Sequence, residues 1–164
     1  MRDSLSQTGR GASSVIVIGL GNEFRHDDAA GLIVARRLRE ARVAALEHDG
    51  DFAALLEKWK GINDLILIDA ISSGAEAGTL HRINAGSAPL PSAFSSTSTH
   101  GLGLADAIGL SRALGTLPSH VLVFGVEGSD FTPGIGLSPP VDRAIAPLVQ
   151  EVLLYKDISF EIKF

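Results

Sequence analysis

Three side chains from distant parts of the chain have the chemistry to hold a metal or move a proton: Asp28, Asp69 and His100. Asp28 closes the polar run Asn22-Glu23-Phe24-Arg25-His26-Asp27-Asp28, downstream of the apolar run Val15-Ile16-Val17-Ile18. Asp69 comes directly after Leu65-Ile66-Leu67-Ile68, where a buried strand emerges and a carboxylate needs a partner. His100 is delivered by a Ser-rich stretch. In an open α/β sheet, ligands bind outside the carboxyl ends of the strands, and all three segments lead to that edge. Two carboxylates and an imidazole suit a borderline divalent metal such as nickel or zinc, and they leave coordination positions open. Each residue also has an ordinary structural reading. Asp28, or its neighbours Asp27 and His26, would serve at a helix start, where the dipole favours an acid. Asp69 would hold a loop through backbone N–H groups, and His100 would sit in a capping turn. Pattern and spacing thus indicate a site without naming its reaction.

The elements that must position these residues follow from periodicity. Residues 15–18 read as a fully buried strand, followed by the turn Gly19-Leu20-Gly21-Asn22. From Asp28 to Glu40 the pattern is helical. A short strand is expected at 43–46, and a short helix at 52–59 with Phe52, Leu55, Leu56 and Trp59 on one face. Residues 65–68 form a second apolar strand, ending at Asp69. Residues 78–83 alternate in character, as a strand at a sheet edge does. The Ser-, Pro- and Ala-rich stretch 84–98 reads as a loop long enough to be functional. A helix then starts at His100 or Gly101 and runs to Leu114. Residues 121–126 are another buried strand, and 127–137 a second long loop. Ser138 as N-cap and Pro139 in the first turn open the last main helix, with a kink expected at Pro147. The alternating Ile158, Phe160, Ile162 and Phe164 suggest a buried edge strand or docking tail. Strands alternating with helices predict a three-layer α/β single domain with a mainly parallel sheet.

Composition narrows the function classes. The chain has 164 residues, 45% of them hydrophobic, and a mean hydropathy of +0.24, enough for one domain with a real core. Its apolar runs are strand-sized, far short of the roughly 20 residues that span a membrane. Residues 1–14 are polar, lack the apolar core of a signal peptide, and read as a flexible leader before a domain at 15–164, so a cytoplasmic protein is expected. The net charge of −5 and the lone basic run Arg36-Arg37-Leu38-Arg39, on a predicted helix face, argue against a nucleic-acid partner. There is no cysteine, which removes disulfides, thiolate zinc and cysteine nucleophiles together.

Familiar motifs fail in informative ways. Gly19-Leu20-Gly21 invites a dinucleotide fingerprint, but the third small residue is replaced by Phe24. No Walker A sequence, H-E-x-x-H helix or G-x-S-x-G elbow exists.

Four motifs in order resemble those of the hydrogenase maturation endopeptidases, which remove a C-terminal extension from the [NiFe]-hydrogenase large subunit. They are Gly19-Leu20-Gly21-Asn22 with Asp27-Asp28-Ala29-Ala30-Gly31; the strand 65–68 with Asp69-Ala70-Ile71 and Gly78-Thr79; Thr99-His100-Gly101-Leu102-Gly103-Leu104-Ala105-Asp106; and Val123-Phe124-Gly125-Val126-Glu127 leading to Gly136-Leu137-Ser138-Pro139. The resemblance spans residues 15–154. It implies a twisted, largely parallel sheet with helices on both faces, and Asp28, Asp69 and His100 as metal ligands. The first-motif acid is often Glu in relatives and here is Asp28. Where relatives carry Asp-Gly-Gly-Thr, this chain has Asp49-Gly50-Asp51-Phe52; if that loop touches the substrate, recognition differs here.

The resemblance further implies an endopeptidase acting on a nickel-loaded large-subunit precursor, its only expected partner, with nickel supplied by the substrate. Zinc or cadmium would suit the same ligands. Asp27 or Glu127 are candidates for a base. The alternatives are a non-catalytic nickel-site chaperone, a small α/β metallohydrolase of other substrate, and a nucleotide binder already weakened by Phe24.

Overall fold

A computed structural model of the chain describes residues 15–94 and 103–161, with side chains to residue 157. Its apolar runs pair with one another. β1 (Val15–Leu20) lies between β2 (Ala45–His48) and β3 (Asp64–Ile71), and β3 pairs on its other side with β5 (His120–Glu127), all parallel. β4 (Leu80–Asn84) joins β5 antiparallel and closes the order β2-β1-β3-β5-β4. Its half-buried alternation fits the edge position that its sequence predicts. Strand order reverses between β1 and β3, the position at whose carboxyl ends open α/β sheets bind their ligands.

Helices cover both faces, giving the three layers expected. α1 (Ala30–Glu40) and α4 (Pro139–Glu161) bury Val34, Leu38, Val141 and Leu148 against Val17, Ile66 and Phe124. On the other face α2 (Phe52–Lys58) and α3 (Leu104–Ala113) pack Leu55 and Ile108 around Ile18, Leu67 and Val123. Trp59, just past α2, is fully buried and donates from Nε1 to Ser111 Oγ at 3.1 Å, which satisfies its one polar atom. No helix among the described residues is long and apolar enough to cross a membrane.

Two glycines explain how close α1 comes to the sheet. A Cβ on Gly31 would sit 2.4 Å from the Ile68 carbonyl oxygen and 2.2 Å from that of Leu20. One on Gly19 would sit 2.0 Å from the Gly31 carbonyl oxygen. The helix start is therefore pressed backbone to backbone onto β1 and β3. The small residue that a dinucleotide fingerprint puts at position 24 is thus supplied later, by Gly31.

Several boundaries differ from the sequence reading. Residues 26–29 form a 3-10 turn, and α1 proper begins at Ala30. β3 does not end at Ile68; it runs on to Ile71, so Asp69 lies inside the strand, paired with Gly125. A partner strand buried along its length carries the pairing past the acid. Ile158 and Phe160 are not in an edge strand, because α4 continues to Glu161 without a break at Pro147, while Ile162 and Phe164 lie outside the described residues. Once its apolar stripe is packed, adding a residue to the helix costs little. The leader at 1–14 and the start expected for α3 at His100 or Gly101 lie outside the described residues.

A methyl group at Gly31 has only main chain to displace. Gly31→Ala is expected to destabilise the fold by about 3 kcal/mol, the upper end of ordinary overpacking, as read by urea unfolding, whereas Gly109→Ala in α3, which meets nothing within 4 Å, loses nothing.

Candidate active site

The site is built by a clasp between two loops. The turn after β1 (residues 21–29) and the loop after β5 (residues 128–138) are a hundred residues apart in sequence. His26 N donates to the Gly134 carbonyl at 3.0 Å, Gly134 N to the Phe24 carbonyl at 2.8 Å, and Asp27 N to the Asp130 carbonyl at 2.9 Å. His26 adopts a left-handed φ of 47°, uncommon outside glycine, and its Nδ1 donates to the Gly136 carbonyl at 2.9 Å. Its ring fills the space over Gly134, where a Cβ would lie 2.1 Å from Nε2.

Asp27 is the centre of the clasp. Its carboxylate is fully buried and accepts from Ser129 N (2.8 Å) and Oγ (3.3 Å), Asp130 N (3.0 Å), and Ser138 N (2.6 Å) and Oγ (2.8 Å). Burial alone would raise its pKa, but the hydrogen bonds from Ser129, Ser138 and Asp130 outweigh burial and hold it below the usual range. Ser138, read from sequence as a helix cap, spends both its N–H and its hydroxyl on Asp27. Glu127 has a similar role one strand away. It is buried and accepts from Ser73 N and Oγ, both at 2.7 Å, and from Gly74 N at 2.9 Å. His81 Nε2 lies 3.4 Å from the same carboxylate without hydrogen-bond geometry. These contacts commit Asp27 and Glu127 to holding loops, and neither presents a free oxygen pair for base chemistry.

Asp28, next along the chain, is in the opposite condition. It is buried, and burial pushes its pKa up to about 6 against the pull of Arg25, whose Nη1 is 3.9 Å away, and of the Asn22 N–H. Asp69 is also buried. Burial first, then the neighbouring charge of Asp28, raises its pKa well above the usual range, with only the Ala70 N–H opposing. The switch point therefore brings together two of the three residues singled out from sequence, on elements 41 positions apart. His100 lies outside the described residues. The segment before it ends at Phe94, whose ring lies 3.2 Å from where a Cβ on Gly125, the strand partner of Asp69, would stand. The segment after it resumes at Gly103, whose N–H donates to Asp106 Oδ2 at 2.9 Å and opens α3.

The donor set suits a divalent cation. Among the described residues no group of three His, Asp or Glu side chains gathers as a metal site. Asp28 and Asp69 nonetheless offer carboxylate oxygens whose ionisation is costly without added positive charge, and a cation would supply it. Among the described residues Arg25 is the one basic side chain within 4 Å of either acid.

A three-layer α/β domain with paired acids at the strand-order reversal is the class of protein that this fold and site define. Comparison with known proteins makes it more specific. A family model described as hydrogenase maturation protease matches residues 40–154. The chain is 33% identical over 147 residues to the hydrogenase 2 maturation protease of Escherichia coli K12, covering 85% of this chain and 88% of that protein. It is 26% identical to the hydrogenase expression/formation protein HupD of Thiocapsa roseopersicina, over 89% of this chain and 69% of that one. Among solved structures, the hydrogenase maturating endopeptidase HybD of E. coli superposes with a TM-score of 0.76 at 30% identity, over 88% and 93% of the two chains. The [NiFe] hydrogenase maturation protease HycI of Thermococcus kodakarensis gives 0.66 at 25%, over 87% and 92%. The chain belongs to the hydrogenase maturation protease family, and it is a peptidase.

The two adjacent acids should answer substitution with opposite signs. Asp27→Ala strands buried N–H donors at a cost of roughly 1–3 kcal/mol each, so a loss of at least about 3 kcal/mol is expected at pH 7. Because the folded pKa of Asp27 is depressed, its contribution is present above the unfolded pKa near 3.8 and is lost as pH falls through the folded value. Asp28 is raised, so its ionisation costs the native state increasingly between pH 4 and about 6. Asp28→Asn should therefore be stabilising at pH 7, by roughly 2 kcal/mol, and neutral below about pH 4. Urea unfolding at pH 4 and 7 checks both; the same sign for the two variants at pH 7 would refute this account.

Proposed function

We propose that this peptidase removes the C-terminal extension of a nickel-loaded [NiFe]-hydrogenase large-subunit precursor, and that Asp28, Asp69 and His100 recognise the nickel the precursor carries. The observation that supports this reading is the buried Asp28–Asp69 pair, two carboxylates held at a charge deficit that a divalent cation would relieve. The substrate class is supported by the relatives, which are hydrogenase maturation proteases.

In this reading the metal is part of the substrate. Two carboxylates and one imidazole bind a free divalent ion weakly and leave coordination positions for ligands of the precursor. Docking then depends on nickel already being in place, so an unloaded precursor is passed over. Held by these residues, the precursor's nickel would supply Lewis acidity toward a scissile carbonyl or a water. The chain supplies the rest: Asp28 and Asp69 orient the docked centre. The clasp around Asp27 fixes the turn on which Asp28 stands.

Purified precursor, with and without nickel, is incubated with the enzyme, and its C-terminus is read by intact mass. Wild type should trim only the loaded form. Asp28→Asn, Asp69→Asn and His100→Ala should each slow trimming by about 100-fold or more, since even outer-shell partners of a metal ligand are worth roughly 10–100-fold. Equal trimming of nickel-free precursor would remove the nickel-recognition part of the proposal, and wild-type rates in all three variants would remove the site.

A further inference from the structure

The turn that carries Asp28 also forms one wall of an open cleft at the carboxyl ends of β1 and β2. The cleft has a volume of about 500 Å³, and Asn22, Phe24, Arg36, His48, Asp49 and Lys58 are among its lining residues. Phe24 is 65% exposed at the rim of this cleft.

The two cations of the cleft are in different states. Arg36 is neutralised by Glu47 at 2.8 Å and Glu23 at 2.9 Å. Lys58 is held by two uncharged acceptors: its Nζ donates to His48 Nδ1 at 3.0 Å and to the Glu47 carbonyl at 3.3 Å. The protonation of His48 follows from geometry. Its Nε2 lies 2.6 Å from the Asp51 carbonyl, which can only accept, so Nε2 carries the hydrogen. Nδ1 must then be the bare acceptor for Lys58, and the ring is neutral. Burial, joined by the Lys58 charge, lowers the His48 pKa in the same sense, against the pull of Asp51 and Asp49. No carboxylate among the described residues lies within 4 Å of Lys58. An ammonium has three N–H groups, and here two are spent on the cleft wall. One donor and the full charge are left for whatever enters.

Asp51 builds this arrangement. Its side chain caps α2 through Ala53 N (3.1 Å) and Ala54 N (3.3 Å), while its carbonyl fixes His48. Asp51 belongs to the stretch Asp49-Gly50-Asp51-Phe52, where this chain departs from the motif that its sequence otherwise resembles. A preorganised cation loses little entropy on binding an anion, and a charge-assisted hydrogen bond is among the stronger polar contacts.

We infer that Lys58 is a specificity-determining contact: its ammonium takes a carboxylate of the precursor's C-terminal extension, which lies along this cleft when the metal centre is seated at Asp28 and Asp69. The inference rests on the proposed peptidase reading and names where that substrate's tail goes. The carboxylate is either an acidic side chain of the extension or its chain terminus. A purely structural Lys58, serving the C-terminal end of α2, would affect stability and leave substrate affinity alone.

The test measures both binding and trimming of nickel-loaded precursor by wild type, Lys58→Met and Lys58→Arg. Lys58→Met should raise Kd and KM about tenfold with kcat and Tm unchanged, and Lys58→Arg should recover most of the loss. Two altered precursors identify the partner, one with the acidic side chains of the extension replaced by their amides and one with a C-terminal carboxamide. The altered precursor that weakens wild type but not Lys58→Met carries the carboxylate. Trimming by wild type with identical KM in Lys58→Met, or equal effects of both altered precursors on the two enzymes, overturns the inference and leaves the peptidase reading intact. Lys58-dependent binding without trimming does the reverse. If the precursor neither binds nor is trimmed, both fall.

Discussion

The buried carboxylate of Asp27 is the interaction on which the site depends. A charged group without solvent is stable only when surrounded by donors, and Asp27 recruits them from Ser129, Asp130 and Ser138, a hundred residues away. That requirement closes the loop after β5 onto the turn after β1. The same closure holds the left-handed His26 against Gly134 and braces the 3-10 turn in which Asp28 stands. The stability stored in one acid thus holds its neighbour where, among the described residues, no comparable set of donors reaches it.

Asp28 and Asp69 show what that stability is used for. Each would be more comfortable neutral, and together they concentrate an unmet demand for positive charge at the reversal of strand order. Sites of this kind are held at the expense of the fold, and the surrounding structure must be overdetermined to keep them. Here the overdetermination is visible. Gly19 and Gly31 bring α1 to backbone contact with β1 and β3, Glu127 pins the turn after β3, and Asp27 pins the turn after β1. A cation brought by a substrate would find ligands already in position and gain from relieving their repulsion.

The neighbouring cleft follows the same logic with the sign of charge reversed. Arg36 is balanced within the protein, whereas Lys58 is steadied by a neutral imidazole and a carbonyl and keeps its charge. A crevice poor in positive charge beside a cleft that retains one would orient a tail that carries a metal centre near one end and a carboxylate near the other.

The sequence alone was sufficient for the α/β layering, the parallel strands and the edge placement of β4, because periodicities of two and 3.6 are written into neighbouring residues; the family was legible only through the resemblance of four motifs in order. The sequence also marked Asp69, since a carboxylate at the end of an apolar run stands out whatever its contacts, and Asp28, which closes a polar run where a helical pattern begins. Opposite fates for Asp27 and Asp28 were not legible, because the difference is made by Ser129, Asp130 and Ser138, whose approach no local pattern encodes. Nor was the continuation of β3 past Asp69, which follows from pairing with β5, or the helical end of α4, where propagation of an established helix overrode an alternating pattern that looked like a strand. The neutral state of His48 and the carboxylate-free surroundings of the half-buried Lys58 likewise arise only when β2 and α2 meet. Residue type and order decided which groups were available; the tertiary structure decided which were satisfied by the protein and which were left for a ligand, because satisfaction depends on donors brought from far along the chain.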